Sequence, residues 1–252
     1  MRFPGKSSAA ARSNTTRALT AAAGVFLALS MPAYVSAQVP PSAAEAAQYT
    51  GLHAAVRRGD VAEIRKLIAA GANIEARDRH GRTPLHVATF ARQRDGIRLL
   101  ANAGADLGAM ENDRYDAVTI AAVADDEETL RVLLSLGASA RLTTSRYDGT
   151  ALIAAAHLGH VGVVKQLIAA GAPLDHVNNL HWTAVIESIV LGDGGRRHQQ
   201  TLQALIDGGA SLRLTDRQGR PPLALAQSRG YTEMVRILER AGGSPARGAR
   251  AQ

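Results

Sequence analysis

Apolar and small residues recur along this chain with a period near 33. Leu52, Leu85, Val118, Leu152, Val185 and Leu223 mark one register, at intervals of 33, 33, 34, 33 and 38. Fifteen residues after the first four stand Leu67, Leu100, Leu133 and Leu167. With five extra residues in the fifth unit the same position is Leu205, and in the sixth it is Leu238. Four residues further on every unit has glycine: Gly71, Gly104, Gly137, Gly171, Gly209 and Gly242. Self-similarity at a fixed period of about 20–50 residues marks a stacked repeat architecture.

The pattern within one unit predicts two short helices. Thr83 suits a helix N-cap, and Pro84 suits the first helical position, where its missing N–H costs nothing. The first helix runs to a mid-unit glycine, present as Gly59, Gly159, Gly192 and Gly230, which tolerates a left-handed exit. Arg92 and Asp125 replace it in units two and three. The second helix carries one apolar stripe, Val61, Ile64, Leu67 and Ile68 in unit one and Val161, Val164, Leu167 and Ile168 in unit four. The closing glycine ends it, and a polar stretch such as residues 76–81 turns into the next unit. A single pair of this kind cannot bury its apolar face; stacked neighbours can.

Unit two reads Asp78-Arg79-His80-Gly81-Arg82-Thr83-Pro84-Leu85-His86-Val87-Ala88. This closely resembles the D-x-x-G-x-T-P-L-H-x-A wording of the ankyrin repeat. Unit one keeps Leu52-His53-Ala54-Ala55, and unit four keeps Gly149-Thr150-Ala151-Leu152 and Gly159-His160. The resemblance implies an all-α solenoid of about six helix-turn-helix units, with short β-hairpin or turn fingers and a concave face. It covers residues 44–243. Ser42-Ala43-Ala44-Glu45 has capping-box spacing and reads as an N-terminal cap. Glu239 replaces an apolar residue of the earlier units and fits a C-terminal cap without a neighbour. Unit five carries its extra residues within 193–198, between its helices.

Charge changes the picture only at the ends. The chain holds 29 basic and 22 acidic residues. Four of the basic ones, Arg2, Lys6, Arg12 and Arg17, precede an apolar run from Ala18 to Leu29 and the small residues Val35-Ser36-Ala37. That order predicts a secretory signal peptide over 1–37, cleaved between Ala37 and Gln38, with export by the general secretion route to the periplasm. The alternative is an uncleaved membrane anchor. Residues 38–43 read as a linker and 244–252, with Arg247 and Arg250, as a disordered tail. Residues 38–243 therefore carry +1, which together with export argues against a nucleic-acid partner. The cleaved protein is expected to make no stable membrane insertion and to be a monomer.

Candidate chemistry is sparse. With no cysteine, disulfides, thiolate metal ligands and a Cys nucleophile are excluded. No Gly-x-Ser-x-Gly, phosphate loop or His-Glu-x-x-His occurs, and the chain is expected to be no enzyme, to use no cofactor and to hold no metal. Of the eight histidines, His53, His86 and His160 stand where ankyrin repeats use His for structural hydrogen bonds. His176, His181 and the 193–198 insertion form the rival reading, a small-molecule- or metal-dependent activity. General chaperone-like binding is a third.

The leading expectation is protein binding. Ankyrin-like stacks present finger tips and first helices to partners. By repeat position these include Arg79, His80, Arg82 and Phe90; Asn112, Asp113 and Tyr115; Arg146, Tyr147 and His157; and Asn179, His181, Trp182 and Leu191. Arg, Tyr, Trp and Phe are types that carry interface energy. Trp182 equally suits packing between neighbouring fingers, and Asn178 and Asn179 suit turn formation.

Overall fold

The computed structural model describes residues 38–243. The signal-peptide segment, with Ala37, and the 244–252 tail lie outside the described residues. Helix α1 (Ala43–Gln48) opens the fold, and its Ser42–Glu45 capping box is formed in both directions. Six helix pairs follow: α2 (Gly51–Arg58) and α3 (Val61–Ala69); α4 (Pro84–Phe90) and α5 (Arg94–Asn102); α6 (Ala117–Val123) and α7 (Glu127–Ser135). After strands β1 (Thr143–Thr144) and β2 (Gly149–Thr150) come α8 (Ala151–Leu158) and α9 (Val161–Ala169), then α10 (Ala184–Val190) and α11 (Arg196–Asp207), and last α12 (Pro222–Ser228) and α13 (Thr232–Arg240).

The first helices pack in one row, α2 to α12, and the second helices in another, α3 to α13. The leucine register lies between them. Leu100, Leu133, Leu167, Leu205 and Leu238 are fully buried, and Leu67 of the terminal unit is partly buried. The core is a continuous line of Leu, Ile, Val and Ala along the stack, as nearest-neighbour packing requires. At the far end Glu239 is exposed, as a terminal unit allows.

The closing glycines all take positive φ, from 77° at Gly171 to 95° at Gly137. Units two and three keep the mid-unit left-handed exit without glycine: Arg92 has φ 56° and Asp125 φ 52°. Unit five departs from expectation. Gly192 does not adopt the left-handed exit; Gly194 does, at φ 70°. Gly192 is needed for another reason, because a Cβ there would lie 2.1 Å from the Ser188 carbonyl oxygen. The inserted residues lengthen the loop and also give α11 12 residues where the other second helices have 9.

Among the described residues one finger pairs as strands, with Thr143 opposite Thr150 and Thr144 opposite Gly149. The other fingers are turns built to one plan. Asp78, Glu111, Asn178 and Asp216 each donate their backbone N–H to the carbonyl four residues on. Each then accepts, on one side-chain oxygen, the N–H groups two and four residues on. Short polar side chains that replace backbone partners are what such turns need.

Candidate functional site

The surface built by the fingers and the first-helix row is braced by its own hydrogen bonds. His53 Nε2 lies 3.0 Å from the Arg82 carbonyl, His86 Nε2 3.1 Å from that of Tyr115, and His176 Nε2 2.6 Å from that of Asp148. His160 Nδ1 lies 2.9 Å from the Ala122 carbonyl. Each ring thus ties one repeat to its neighbour. Burial pushes the His86 imidazole down to about 4, so its neutral form is the one that serves. Among the described residues no group of three or more His, Asp or Glu side chains is placed to hold a metal ion.

Most finger positions named from sequence are engaged in the same bracing. Asn112 donates from its backbone and side chain to His80 and Arg79, and Asn179 does the same to Tyr147 and Arg146. Arg146 pairs with Asp113 at 2.8 Å and Arg114 with Asp148 at 2.9 Å, a ladder between successive fingers. Arg79 and His80 are exposed but both reach Glu45 of α1. The Ser42 N–H first, and then Arg79, hold the Glu45 carboxyl far below the usual carboxylate range.

Arg82 corrects the sequence expectation. It is not presented: its side chain is 3% exposed, bound to Asp78 at 2.7 Å and to Glu45 at 3.3 Å. Its neighbour four residues back is the turn-forming Asp78, and the second oxygen of that carboxylate draws the guanidinium inward. Arg220 and Asp216 repeat the pair in unit six at 2.7 Å.

The remaining named positions form the apolar part of the surface. Phe90, Tyr115, Tyr147, His157, Trp182 and Leu191 are half-buried, and His181 is exposed in a left-handed conformation at φ 63°. Trp182 packs against the core. His80, Arg82, Phe90, Asp113 and Tyr115 line one concavity, together with Gln38 and Val39 of the N-terminal stretch. The rival histidines have separate neighbours: His176 binds Asp148, while His198 of the insertion lies between Asp193 and the His157 carbonyl, at 2.7 and 2.8 Å.

One residue escaped the sequence reading. Glu187 on α10 is 6% exposed. Its Oε1 accepts from Asn178 Nδ2 at 2.8 Å, and its Oε2 lies 3.7 Å from His157 Nδ1. Burial pushes its carboxyl up to about 8. Aligned units would have shown it, because the same position holds Ala54, Val87, Ile120, Ala154 and Leu225 elsewhere.

Known proteins agree with this architecture. A family model for ankyrin repeats in three copies matches residues 21–111, and a single ankyrin-repeat model matches 147–179. The ankyrin repeat protein YahD of Escherichia coli is 34% identical over 189 residues, covering 75% of this chain and 94% of that one. An ankyrin repeat domain from Acinetobacter baumannii, solved by crystallography, is 41% identical with a TM-score of 0.72, over 77% of this chain and 98% of its own. The ankyrin repeat domain of Bcl-3, a member of the IkappaB family, is 27% identical with a TM-score of 0.70, over 78% and 88%. With six phased helix pairs, closing glycines in one conformation and a bacterial relative matched over nearly its whole length, the chain belongs to the ankyrin-repeat family.

Proposed function

We propose that this protein is a non-catalytic binding module that holds a protein partner against the fingers and first helices of units two to five. Ankyrin repeats are generally protein–protein interaction modules. The observation that carries the reading is the bracing itself. Side chains on successive fingers are fixed to one another before any partner arrives, so the half-buried Phe90, His157, Trp182 and Leu191 stand on a preformed surface. Preformed surfaces lose little conformational freedom on binding, which leaves more of the contact energy as affinity. The N-terminal pattern of 1–37 supports export and a periplasmic partner. Among the described residues no helix is long and apolar enough to cross a membrane.

A photo-cross-linker at position 90 tests this in the native compartment. A discrete cross-linked partner, lost when Tyr115, Tyr147 and Trp182 are changed to Ala, is the expected result. Cross-linking that is absent or unselective in folded protein overturns the reading.

A further inference from the structure

We propose that the first-helix face of units four and five carries a socket for one cationic side chain, an arginine or lysine of a protein partner, with Glu187 as its floor. The inference rests on the partner-binding reading above and adds the chemistry of one contact. At this repeat position the other five units place alanine or a branched aliphatic residue, so stacking does not call for an acid. A buried carboxyl without full hydrogen bonding costs stability. Three other buried or half-buried acids have a cation within the chain: Asp78 has Arg82, Asp126 has Arg94 and Asp216 has Arg220; Asp116, also without a cation, takes the Thr119 N–H and hydroxyl on its Oδ1. Glu187 has one donor. Asn178 supplies it, with its own oxygen held by the N–H groups of Leu180 and Trp182, so the amide nitrogen is fixed toward Oε1. Among the described residues Oε2 accepts no hydrogen bond and is not fully buried, and no Arg or Lys pairs with Glu187.

The surrounding charges do not fill the gap. On α8 His157 is the facing group, 3.7 Å from Oε2, and burial together with His198 and His160 lowers its pKa. From α11, Arg197 is bound to Gly159 and Asp125, His198 is bound to Asp193 and the His157 carbonyl, and Arg196 is exposed. Helix α12 carries no titratable group. In the finger, His176 is bound to Asp148 and His181 is exposed. An incoming guanidinium or ammonium would supply the missing donor and the missing positive charge together. Glu187 would then give up its proton to solvent as the cation binds, because an opposite charge within a few ångströms favours the carboxylate. Affinity should therefore rise with pH toward the free carboxyl's midpoint near 8.

The test is a carbon-13 NMR titration of the protein labelled at Glu side chains. The probes are Nα-acetyl-arginine amide and Nα-acetyl-lysine amide, with Nα-acetyl-glutamine amide as the neutral control. The expected result is movement of the Glu187 carboxyl signal to its carboxylate position at pH 7 with a cationic probe and none with the control. Binding should be roughly tenfold or more tighter at pH 9 than at pH 6.5. The Glu187→Gln variant keeps an acceptor for Asn178, and in it both cationic probes should bind no better than the control. An unmoved Glu187 signal, an equal response to the neutral probe, or undiminished binding by Glu187→Gln overturns the socket. The cross-linking experiment reads the whole face and this titration reads one carboxyl, so either can fail while the other stands.

Discussion

Arg197 Nη2 lies 2.6 Å from Asp125 Oδ2 and joins unit five to unit three across unit four. The same side chain donates from Nε to the Gly159 carbonyl at 3.1 Å, so the inserted segment acts as a brace over the mid-unit turns. Asp125 is also one of the two residues that make the mid-unit left-handed exit without glycine. Both partners are well exposed, and pairs of that kind contribute about 0.2–1 kcal/mol. Changing Arg197 to Ala should lower the melting temperature by no more than about 4 °C, with most of the loss gone in high salt. Thermal melts of Arg197→Ala, Asp125→Asn and the double variant would show it. Independent, fully additive effects would mean the pair carries no coupling.

The Asp78–Arg82 pair should behave differently, because both side chains are nearly buried. Removing one partner of a buried pair leaves an uncompensated charge, a loss of about 3–5 kcal/mol. Arg82→Leu should therefore lower the urea midpoint strongly. It also releases Glu45, so exchange protection of α1 and α2 should fall first. Adding Asp78→Asn should recover much of the loss, since Asn178 shows that Asn makes the same turn uncharged. A double variant as unstable as the single one would refute this account.

The repeat phase, the helix pairs, the closing glycines and the Ser42–Glu45 cap were all legible, because each has a local cause that recurs or is spelled by adjacent residues. What could not be read was which charged finger residues face outward. Arg79 and Arg82 are three residues apart on one turn, yet one is two-thirds exposed and the other buried. Both reach Glu45, more than 30 residues away, and the difference lies in Asp78, whose second oxygen binds Arg82. The role of Gly192 was misread for a similar reason: the insertion moved the left-handed exit two residues on. Glu187 is legible only as an exception to its repeat position, which holds Ala54, Val87, Ile120, Ala154 and Leu225 elsewhere.

His86 makes a pH dependence whose sign follows from its contacts. Nδ1 accepts the Thr83 N–H at 3.1 Å, and Nε2 faces the Tyr115 carbonyl, so the folded state needs the neutral ring. The unfolded chain takes up a proton near 6.5 and the folded one only near 4. Between these values the unfolded state binds more protons, and stability falls as pH is lowered, at about 1 kcal/mol per pH unit. His86→Leu should cost about 2 kcal/mol at pH 7, from the two backbone groups it leaves unpaired, and should flatten the dependence between pH 6.5 and 4. Denaturant midpoints across that window for both proteins decide it; parallel slopes would refute the assignment.

Glu187 sets the opposite slope. Its carboxyl titrates near 4.5 in the unfolded chain and near 8 in the fold, so the folded state binds more protons between those values. Its contribution is complete below pH 4.5 and is lost as pH rises toward 8, at up to about 1.4 kcal/mol per unit. Glu187→Gln keeps the Asn178 hydrogen bond and carries no charge to bury. It should match wild type at pH 5 and exceed it by several degrees in melting temperature at pH 8. Equal melting temperatures for the two proteins at pH 8 would mean that the buried carboxyl ionises there without cost.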